Sequence, residues 1–341
     1  MGLLKNFSEN YLEFFTQLKC FKNNQVLRYI YIMNIFIIGG TGFVGSRLIP
    51  KLLDQHQITV LTRNQDKGNL LARRGVHVVF GDLCEMDRIS GQVEKQDLVI
   101  YMAMPPVRMG RNTRKHIYKL SQVIKKYLNN TVKFVKEQKC PVVFTLGTSY
   151  KTGKNETADE TWPIHRFGMT IAGQYFDTLL SELEKEGKIP VIQVIPGQIY
   201  GPGGLFLKIL RMAYQKRYIV FGNGKNRIPR IHVEDIAEGY ACIVKKMPLG
   251  EKFIFSDDYP CTTMEFNSYL FELISGKKIN PKRIPTFLLR ILLGKYVTET
   301  MMTNCVVSNL KAKEQLEWKL TYPTYKEGLK ATVDAYQKGI Y

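Results

Sequence analysis

The chain has 341 residues, of which 45% are hydrophobic, so it is long enough to bury a sizeable core. The formal net charge of +19 is spread along the whole chain, so we expect no nucleic acid partner. The absence of any run of 18 apolar residues argues against a transmembrane segment, and six scattered cysteines without a Cys-x-x-Cys pair favour reduced thiols in the cytoplasm over a metal site.

The first 32 residues do not follow the pattern of the rest of the chain. They mix aromatic with basic residues, and the carboxylates of Glu9 and Glu13 argue against a mitochondrial presequence. We predict an N-terminal extension over residues 1–32. It is either an appended segment, including one that arises from an upstream start codon before Met33, or a short amphipathic helix.

An apolar run over residues 35–38 leads into a glycine-rich turn and then into a helical pattern over residues 46–53. Gly39, Gly42 and Gly45 are spaced three residues apart in this turn. Glycines let the backbone turn tightly and approach a phosphate, and the free N–H groups at the helix start attract its negative charge. The pattern predicts a dinucleotide-binding site; the alternative is a glycine-rich turn without a ligand.

Beyond this turn, apolar stretches alternate with helical patterns, which is typical of a parallel sheet with helices on both faces. Strands are predicted over residues 58–61, 76–80, 98–102, 142–146 and 191–195. Helices are predicted over residues 115–136, 171–185, 206–215, 233–245, 264–275 and 286–303. We predict an α/β fold with a doubly wound, Rossmann-like parallel sheet, in which a dinucleotide-binding portion over residues 33–200 interleaves with a smaller α+β substrate-binding portion over residues 201–341.

Further motifs follow in order along the chain. They are Gly81-Asp82-Leu83, Tyr101-Met102-Ala103-Met104, Pro196-Gly197-Gln198-Ile199-Tyr200-Gly201-Pro202, Ile231-His232-Val233-Glu234-Asp235 and Leu316-Glu317-Trp318. With the glycine turn, they resemble the extended short-chain dehydrogenase/reductase family, which holds the nucleotide-sugar epimerases and dehydratases. This resemblance spans residues 33–329 and implies a nicotinamide cofactor.

Cofactor-binding residues are predicted from the turn and from the motifs that carry the resemblance. They are Gly39, Thr41, Gly42, Phe43, Val44, Gly45, Leu83, Ala103, Pro196 and also Asp82, which is expected to contact the adenine ring or, alternatively, to cap a helix. Arg63 follows the second strand, where an NAD site usually has an acidic residue, and its guanidinium suits a 2′-phosphate. We therefore predict NADP(H) as the preferred cofactor, with NAD(H) as the alternative. The alternative interpretation of Arg63 is a solvated side chain at the end of a strand.

The usual proton donor of the family is absent. Its members carry Tyr-x-x-x-Lys on one helix face, whereas the matching positions here are Phe167 and Ile171. The segment after the fifth strand, where the family carries a catalytic serine or threonine, is also altered. Gly147 occupies one plausible position of that hydroxyl residue, which leaves Thr148 or Ser149 as candidates for its role.

A substitute acid is expected on the loops at the carboxyl edge of the sheet. Tyr150, Lys151 and Tyr200 are the candidates, and a tyrosine is favoured because its hydroxyl both donates and accepts. We take Thr148 and Tyr150 as the predicted catalytic residues.

Two functions are compatible with these observations. The first is an NAD(P)-binding epimerase/dehydratase-like oxidoreductase that acts on a carbonyl or nucleotide-sugar-type small molecule; the second is a non-catalytic NADP(H)-binding redox sensor or assembly subunit. The resemblance is also compatible with a homodimer. Basic residues in the second portion slightly favour a nucleotide-linked substrate: Lys208, Arg211, Lys216, Arg217, Arg227 and Arg230.

Overall fold

The computed structural model describes residues 32–105 and 112–340. Residues 1–31, which hold nearly all of the predicted N-terminal extension, lie outside the described residues. The strands are β1 (Asn34–Ile38), β2 (Gln57–Thr62), β3 (His77–Phe80), β4 (Leu98–Tyr101), β5 (Val142–Thr145), β6 (Val191–Pro196), β7 (Gln198–Tyr200), β8 (Ile219–Phe221), β9 (Arg230–His232), β10 (Lys252–Phe255) and β11 (Lys282–Ile284). The helices are α1 (Gly45–Leu52), α2 (Gln65–Ala72), α3 (Met86–Ile89), α4 (Arg114–Gln138), α5 (Gln174–Glu186), α6 (Phe206–Tyr214), α7 (Val233–Lys246), α8 (Thr263–Ser275), α9 (Thr286–Met302), α10 (Leu310–Leu316) and α11 (Tyr325–Gln337).

In the described part of the chain, seven strands form one sheet in the order β10-β6-β5-β4-β1-β2-β3. All neighbouring strands run parallel, and β1 pairs with β2 on one side and with β4 on the other. The strand order therefore reverses beside β1, and ligands of such sheets bind at the carboxyl ends of the strands near this reversal. The predicted doubly wound, Rossmann-like fold is confirmed.

The two faces of the sheet are covered by helices. Successive side chains of a strand point to opposite faces, and in β1 this alternation sends Phe36 and Ile38 into one buried cluster and Ile35 and Ile37 into the other. Side chains of α4 and α5 complete the first cluster, and side chains of α1, α7 and α10 complete the second. This packing holds the turn after β1 rigidly at the sheet edge.

The chain after residue 200 contributes to two layers. It supplies β10 and α7 to the main sheet and its cover, and it builds a third buried cluster from α6, α8 and α11. Two short parallel pairs, β7 with β9 and β8 with β11, connect this cluster to the rest. The division into portions at residue 200 stays a prediction.

The sequence pattern missed two breaks in helices. The helix predicted over residues 171–185 begins at Gln174, after a 3₁₀ segment over Gly168–Gly173. The helix predicted as continuous over residues 286–303 is broken at Gly294, whose φ of 82° lies in the left-handed region that favours glycine. A Cβ atom there would lie 2.6 Å from the Asn112 carbonyl oxygen, so this position also requires a glycine for space.

Candidate functional site

A cleft of about 1300 Å³ opens at the carboxyl ends of the main-sheet strands. The loops that follow β1, β2, β3, β4, β5 and β6 line one part of it, and α6, α8 and the end of α9 line the other. Ligand sites in open α/β sheets lie at this edge. Among the predicted site residues, all except Asp82 line this cleft.

The turn after β1 requires glycine at two positions. Gly39 has a φ of +99°, and a Cβ atom there would lie 2.9 Å from the backbone nitrogen of Ala103. At Gly45, a Cβ atom would overlap the carbonyl group of Gly40, so α1 could not begin this close to β1. The bare backbone thus forms the floor of the cleft.

The amino end of α1 is open to an anion. Its N-cap residue, Val44, provides no side-chain hydrogen bond, and the first turn carries no acidic residue. The unsatisfied N–H groups and the helix dipole make such an end attractive to negative charge. Since Phe43, Val44 and Gly45 line the cleft, these residues fit a dinucleotide diphosphate.

Arg63 and Asp82 form an ion pair with an Nη1–Oδ2 distance of 3.0 Å. Asp82 also caps the short 3₁₀ helix that begins at Leu83, because its Oδ1 accepts a hydrogen bond from the Cys84 N–H at 2.8 Å. Burial opposes ionisation, yet the Cys84 N–H and Arg63 hold the pKa of the Asp82 carboxyl below its usual range. The Arg63 side chain remains 59% exposed and lines the cleft.

Hydroxyl groups cluster where β5 meets β4 and β6. Thr148 Oγ1 donates to the Pro196 carbonyl oxygen at 2.5 Å. Thr145 Oγ1 donates to the Tyr101 carbonyl oxygen at 2.8 Å and accepts from the Tyr240 hydroxyl at 2.5 Å. Thr145, Thr148 and Tyr240 all line the cleft. Because their hydroxyl protons are already donated within the protein, these groups can only accept hydrogen bonds from a ligand.

Tyr150 differs from these groups. Its side chain is 1% exposed and lines the cleft, and its hydroxyl has no hydrogen-bond partner among the described residues. Burial, followed by the nearby charge of Glu160, raises the pKa of the phenol, which therefore keeps its proton across the physiological range. Phe167 and Cys305 also line the cleft, and burial raises the pKa of Cys305 to about 12.

The other residues considered for the missing acid lie outside the cleft lining. Tyr200 is buried in the third cluster between Phe206 and Phe266. Lys151 is exposed, with its ammonium group 4.7 Å from the ring centroid of Phe167. Ser149 accepts a hydrogen bond from Arg166 at 3.0 Å and donates to the Gly147 carbonyl oxygen. These three are bonded or packed as parts of the scaffold.

The part of the cleft formed after residue 200 is largely apolar. Its wall includes Leu205, Phe206, Ile209, Met212, Ile219, Phe221, Ile228, Pro229, Phe266, Phe271, Met301 and Met302, with the polar side chains of Thr263, Asn267, Thr300 and Thr303 between them. Of the six basic residues expected near a substrate diphosphate, Arg217 and Arg230 line the cleft. Arg230 is buried under the Phe266 ring, donates to the carbonyl oxygens of Ile228 and Cys261, and has no partner for Nε within the described residues.

Sequence reasoning missed several cleft residues. Tyr240 lies on α7, and Met301 and Met302 close a helix far along the chain from the glycine turn. No local motif marks these positions; only the packing of α7 and α9 against the sheet edge brings them to the cleft. Within residues 32–105 and 112–340, no cluster of three or more histidine, cysteine or acidic side chains has the arrangement of a metal site.

Comparisons with known proteins agree with this architecture. The model of the NAD dependent epimerase/dehydratase family matches residues 35–254. The human sterol-4-alpha-carboxylate 3-dehydrogenase, decarboxylating, is 24% identical over 255 residues, which is 70% of this chain but only 65% of that protein.

Two solved structures share the fold. The human epimerase family protein SDR39U1 with NADPH superposes with a TM-score of 0.72 at 16% identity and covers 89% of this chain and 99% of its own. The UDP-glucuronic acid 4-epimerase from Bacillus cereus, in complex with UDP-glucuronic acid and NAD, has a TM-score of 0.75 at 19% identity and covers 91% and 100%.

Proposed function

The chain belongs to the NAD dependent epimerase/dehydratase family, and we propose that it is an NADP(H)-dependent oxidoreductase in which Tyr150 is the proton donor. The observation that carries this proposal is Tyr150, which lines the cleft while its buried hydroxyl has no hydrogen-bond partner among the described residues. A buried polar atom without a partner is costly unless a ligand satisfies it. Nicotinamide cofactors supply or accept a hydride when bound.

The cofactor would be held by the turn after β1 and by the loops next to it. Gly39, Gly42 and Gly45 leave the backbone free to approach the diphosphate. Arg63 supports NADP(H), since its exposed guanidinium is suited to a 2′-phosphate and is oriented by Asp82. Solved structures with this fold are described with NADPH in one case and with NAD in another, so NAD(H) is the alternative.

Tyr150 is suited to one direction of proton transfer. Because its phenol stays protonated, it holds a proton that it can give to the more basic alkoxide that develops at a carbonyl oxygen, whereas almost no phenolate is present to remove a proton from an alcohol. We therefore propose carbonyl reduction rather than epimerisation, which needs both steps. Thr148 would accept a hydrogen bond from the hydroxyl of the alcohol product, because its own proton is donated to the Pro196 carbonyl oxygen.

The wall of the cleft supports a substrate with an apolar body. Apolar side chains form most of the part beyond residue 200, whereas Lys208, Arg211, Lys216 and Arg227 do not line it. A nucleotide diphosphate needs several charged or polar partners, while an apolar carbonyl compound needs mainly shape and burial. A nucleotide-linked substrate is the alternative, with Arg217 and Arg230 as its cationic contacts.

A non-catalytic NADP(H)-binding protein is the second candidate function. The observation that favours it is Phe167, which lines the cleft at the position that matches the tyrosine of the family and cannot exchange a proton. Such a protein would bind the cofactor without consuming it and would contact a partner in one redox state.

One experiment separates these functions. NADPH and NADH affinities are measured by calorimetry, and NADPH consumption is followed with apolar ketones, aldehydes and quinones and with nucleotide sugars. We expect turnover of an apolar carbonyl compound and a loss of roughly hundredfold or more in kcat for Tyr150→Phe, with NADPH affinity unchanged. Tyr200→Phe is the matched control, because that hydroxyl is also buried without a partner but lies outside the cleft lining. Undiminished turnover in Tyr150→Phe contradicts the assignment, and tight NADPH binding without turnover supports the second function.

A further inference from the structure

The first half of α9 exposes an unusual number of large apolar side chains. Phe287, Leu288, Ile291 and Leu292 are 64%, 39%, 60% and 59% exposed. Leu289 is buried and attaches this half-helix to the protein. Since a helix turns about 100° per residue, Phe287 and Ile291 lie on the side opposite to Leu289 and point away from the protein.

This half-helix begins next to the cleft lining. The hydroxyl of Thr286 is 3.8 Å from the sulfur of Met302, although the ends of a straight helix of this length would be about 24 Å apart. The break at Gly294 therefore folds the first half of α9 back beside the second half. Met301 and Met302 of the second half line the cleft, so the first turn of α9 lies next to that lining.

The same segment is strongly basic. Residues 273–298 contain six basic and no acidic residues: Lys277, Lys278, Lys282, Arg283, Arg290 and Lys295. All six are exposed. Lys295 lies 3.7 Å from Glu299, and the other five form no ion pair with any described residue. We call these six residues, together with Phe287, Leu288, Ile291 and Leu292, the basic apolar surface.

We propose that the basic apolar surface binds peripherally to an anionic lipid membrane. Apolar side chains that insert at the boundary between headgroups and acyl chains, flanked by basic residues that face anionic headgroups, form a recognised mode of membrane-surface binding. In residues 32–105 and 112–340, no helix has the length and apolar composition needed to span a bilayer, so this attachment is interfacial. This inference does not depend on the proposed function.

Charge complementarity favours a membrane over the other ways to cover the surface. A second copy of the chain in a symmetric dimer would bring the same basic clusters together without an acidic residue of 273–298 to neutralise them. Residues 1–31 carry Lys5, Lys19, Lys22 and Arg28 against Glu9 and Glu13, so they also carry net positive charge. Anionic headgroups supply the missing negative charge.

Vesicle co-sedimentation of the full chain tests the proposal. We expect strong binding to phosphatidylcholine vesicles that contain phosphatidylserine, weak binding to phosphatidylcholine alone, and weakening at high salt. The triple variant Lys282→Gln/Arg283→Gln/Arg290→Gln removes three positive charges and should lower partitioning onto the phosphatidylserine-containing vesicles roughly hundredfold. The double variant Phe287→Ser/Ile291→Ser should lower partitioning onto both kinds of vesicle. The matched controls, Arg73→Gln/Arg74→Gln and Leu70→Ser, change exposed residues near α2 and should bind like the wild type.

The variants must keep the thermal midpoint of the wild type, so that lost binding is not lost folding. Equal binding to both kinds of vesicle, or wild-type binding of all variants, overturns the proposal. The emission that Phe287→Trp adds to that of Trp162 and Trp318, taken as the difference from the wild type in buffer, identifies other occupants. Red added emission that shifts to the blue on adding phosphatidylserine vesicles supports membrane binding. Blue emission that reddens on dilution indicates a second copy, and blue emission independent of concentration indicates residues 1–31; either overturns the proposal.

Discussion

The two parts of the cleft are built in different ways. The part beside β1 is formed by backbone, because Gly39, Gly42 and Gly45 expose main-chain groups and the amino end of α1, which has no side-chain cap. The part beyond residue 200 is formed by side chains from α6, α8 and α9. A backbone surface persists in a diverging sequence as long as its glycines persist, whereas a side-chain surface changes with each substitution. The chain therefore keeps the glycine turn of its family, whereas Phe167 stands where the family pattern has a tyrosine.

The two parts also differ in how their polar groups are satisfied. Beside β1 and β2, Arg63 is paired with Asp82, and the hydroxyls of Thr41 and Thr62 lie 3.1 Å apart. In and around the other part, Arg230 Nε and Asp257 Oδ2 are buried without hydrogen-bond partners among the described residues. Such atoms are rare in folded proteins because they lose hydration without compensation.

The largest expected effect concerns the backbone site. Gly42 is exposed, and a Cβ atom there would lie 3.0 Å from the Gly39 carbonyl oxygen. In Gly42→Val, the side chain would occupy the space that a diphosphate needs, so we expect NADPH affinity to fall roughly hundredfold or more with little change in thermal midpoint. Calorimetry measures this. Gly91→Val, at an exposed glycine with no atom near its Cβ direction, is the control. Wild-type affinity in Gly42→Val would falsify the backbone site.

The next effect concerns two buried groups near the third cluster, with opposite pH dependence. His232 Nδ1 accepts from the Glu234 N–H at 3.3 Å, and its Nε2–H donates to Thr332 Oγ1, whose own proton goes to the Gly328 carbonyl oxygen. Burial, and then the charge of Arg47, lowers the pKa of His232 to about 3 from 6.5. Because the unfolded chain binds this proton first, folded-state stability falls as the pH drops below about 6.5.

Asp257 behaves in the opposite sense. Burial raises the pKa of its carboxyl from 3.8 to about 8, so the folded chain holds a proton that the unfolded chain has released. This contribution to stability is complete below pH 3.8 and is lost as the pH rises towards 8. Between mildly acidic and neutral pH, the effects of Asp257 and His232 therefore oppose each other.

Single variants should reveal each contribution. Relative to the wild type, when the pH is lowered from about 7 to about 5, His232→Asn should gain about 2 kcal/mol of stability and Asp257→Asn should lose about 2.5 kcal/mol. Asparagine keeps the N-cap in the first variant and the neutral shape of the acid in the second. Urea unfolding at both pH values and constant ionic strength measures this. A wild-type pH dependence in either variant contradicts the corresponding assignment.

The smallest expected effect concerns cofactor choice. Arg63→Ser should lower NADPH affinity roughly tenfold and leave NADH affinity nearly unchanged, because only NADPH carries the 2′-phosphate. Arg88→Ser is a suitable control, since Arg88 is 80% exposed and forms a similar pair with Glu85. Equal dissociation constants of the wild type for the two cofactors at matched salt would refute the preference for NADP(H).

Much of the fold could be predicted from local patterns. The spacing of apolar residues within each strand or helix indicates which side of that element is buried, and this spacing can be seen within a short stretch of the chain. It identified the strands of the Rossmann-like sheet up to β6 and the long helix α4. It did not identify β10, which lies after residue 200 and joins the main sheet beside β6.

The sequence by itself determined the glycine turn, since the requirement for absent side chains at Gly39 and Gly45 is written directly in the residue types. It also revealed that Phe167 replaces an expected acid. Only the tertiary structure decided that Tyr150 lines the cleft while Tyr200 is buried in a core, and that the halves of α9 fold together at Gly294. Those outcomes depend on contacts between segments far apart in the chain, and local periodicity carries no information about which distant surface an element packs against.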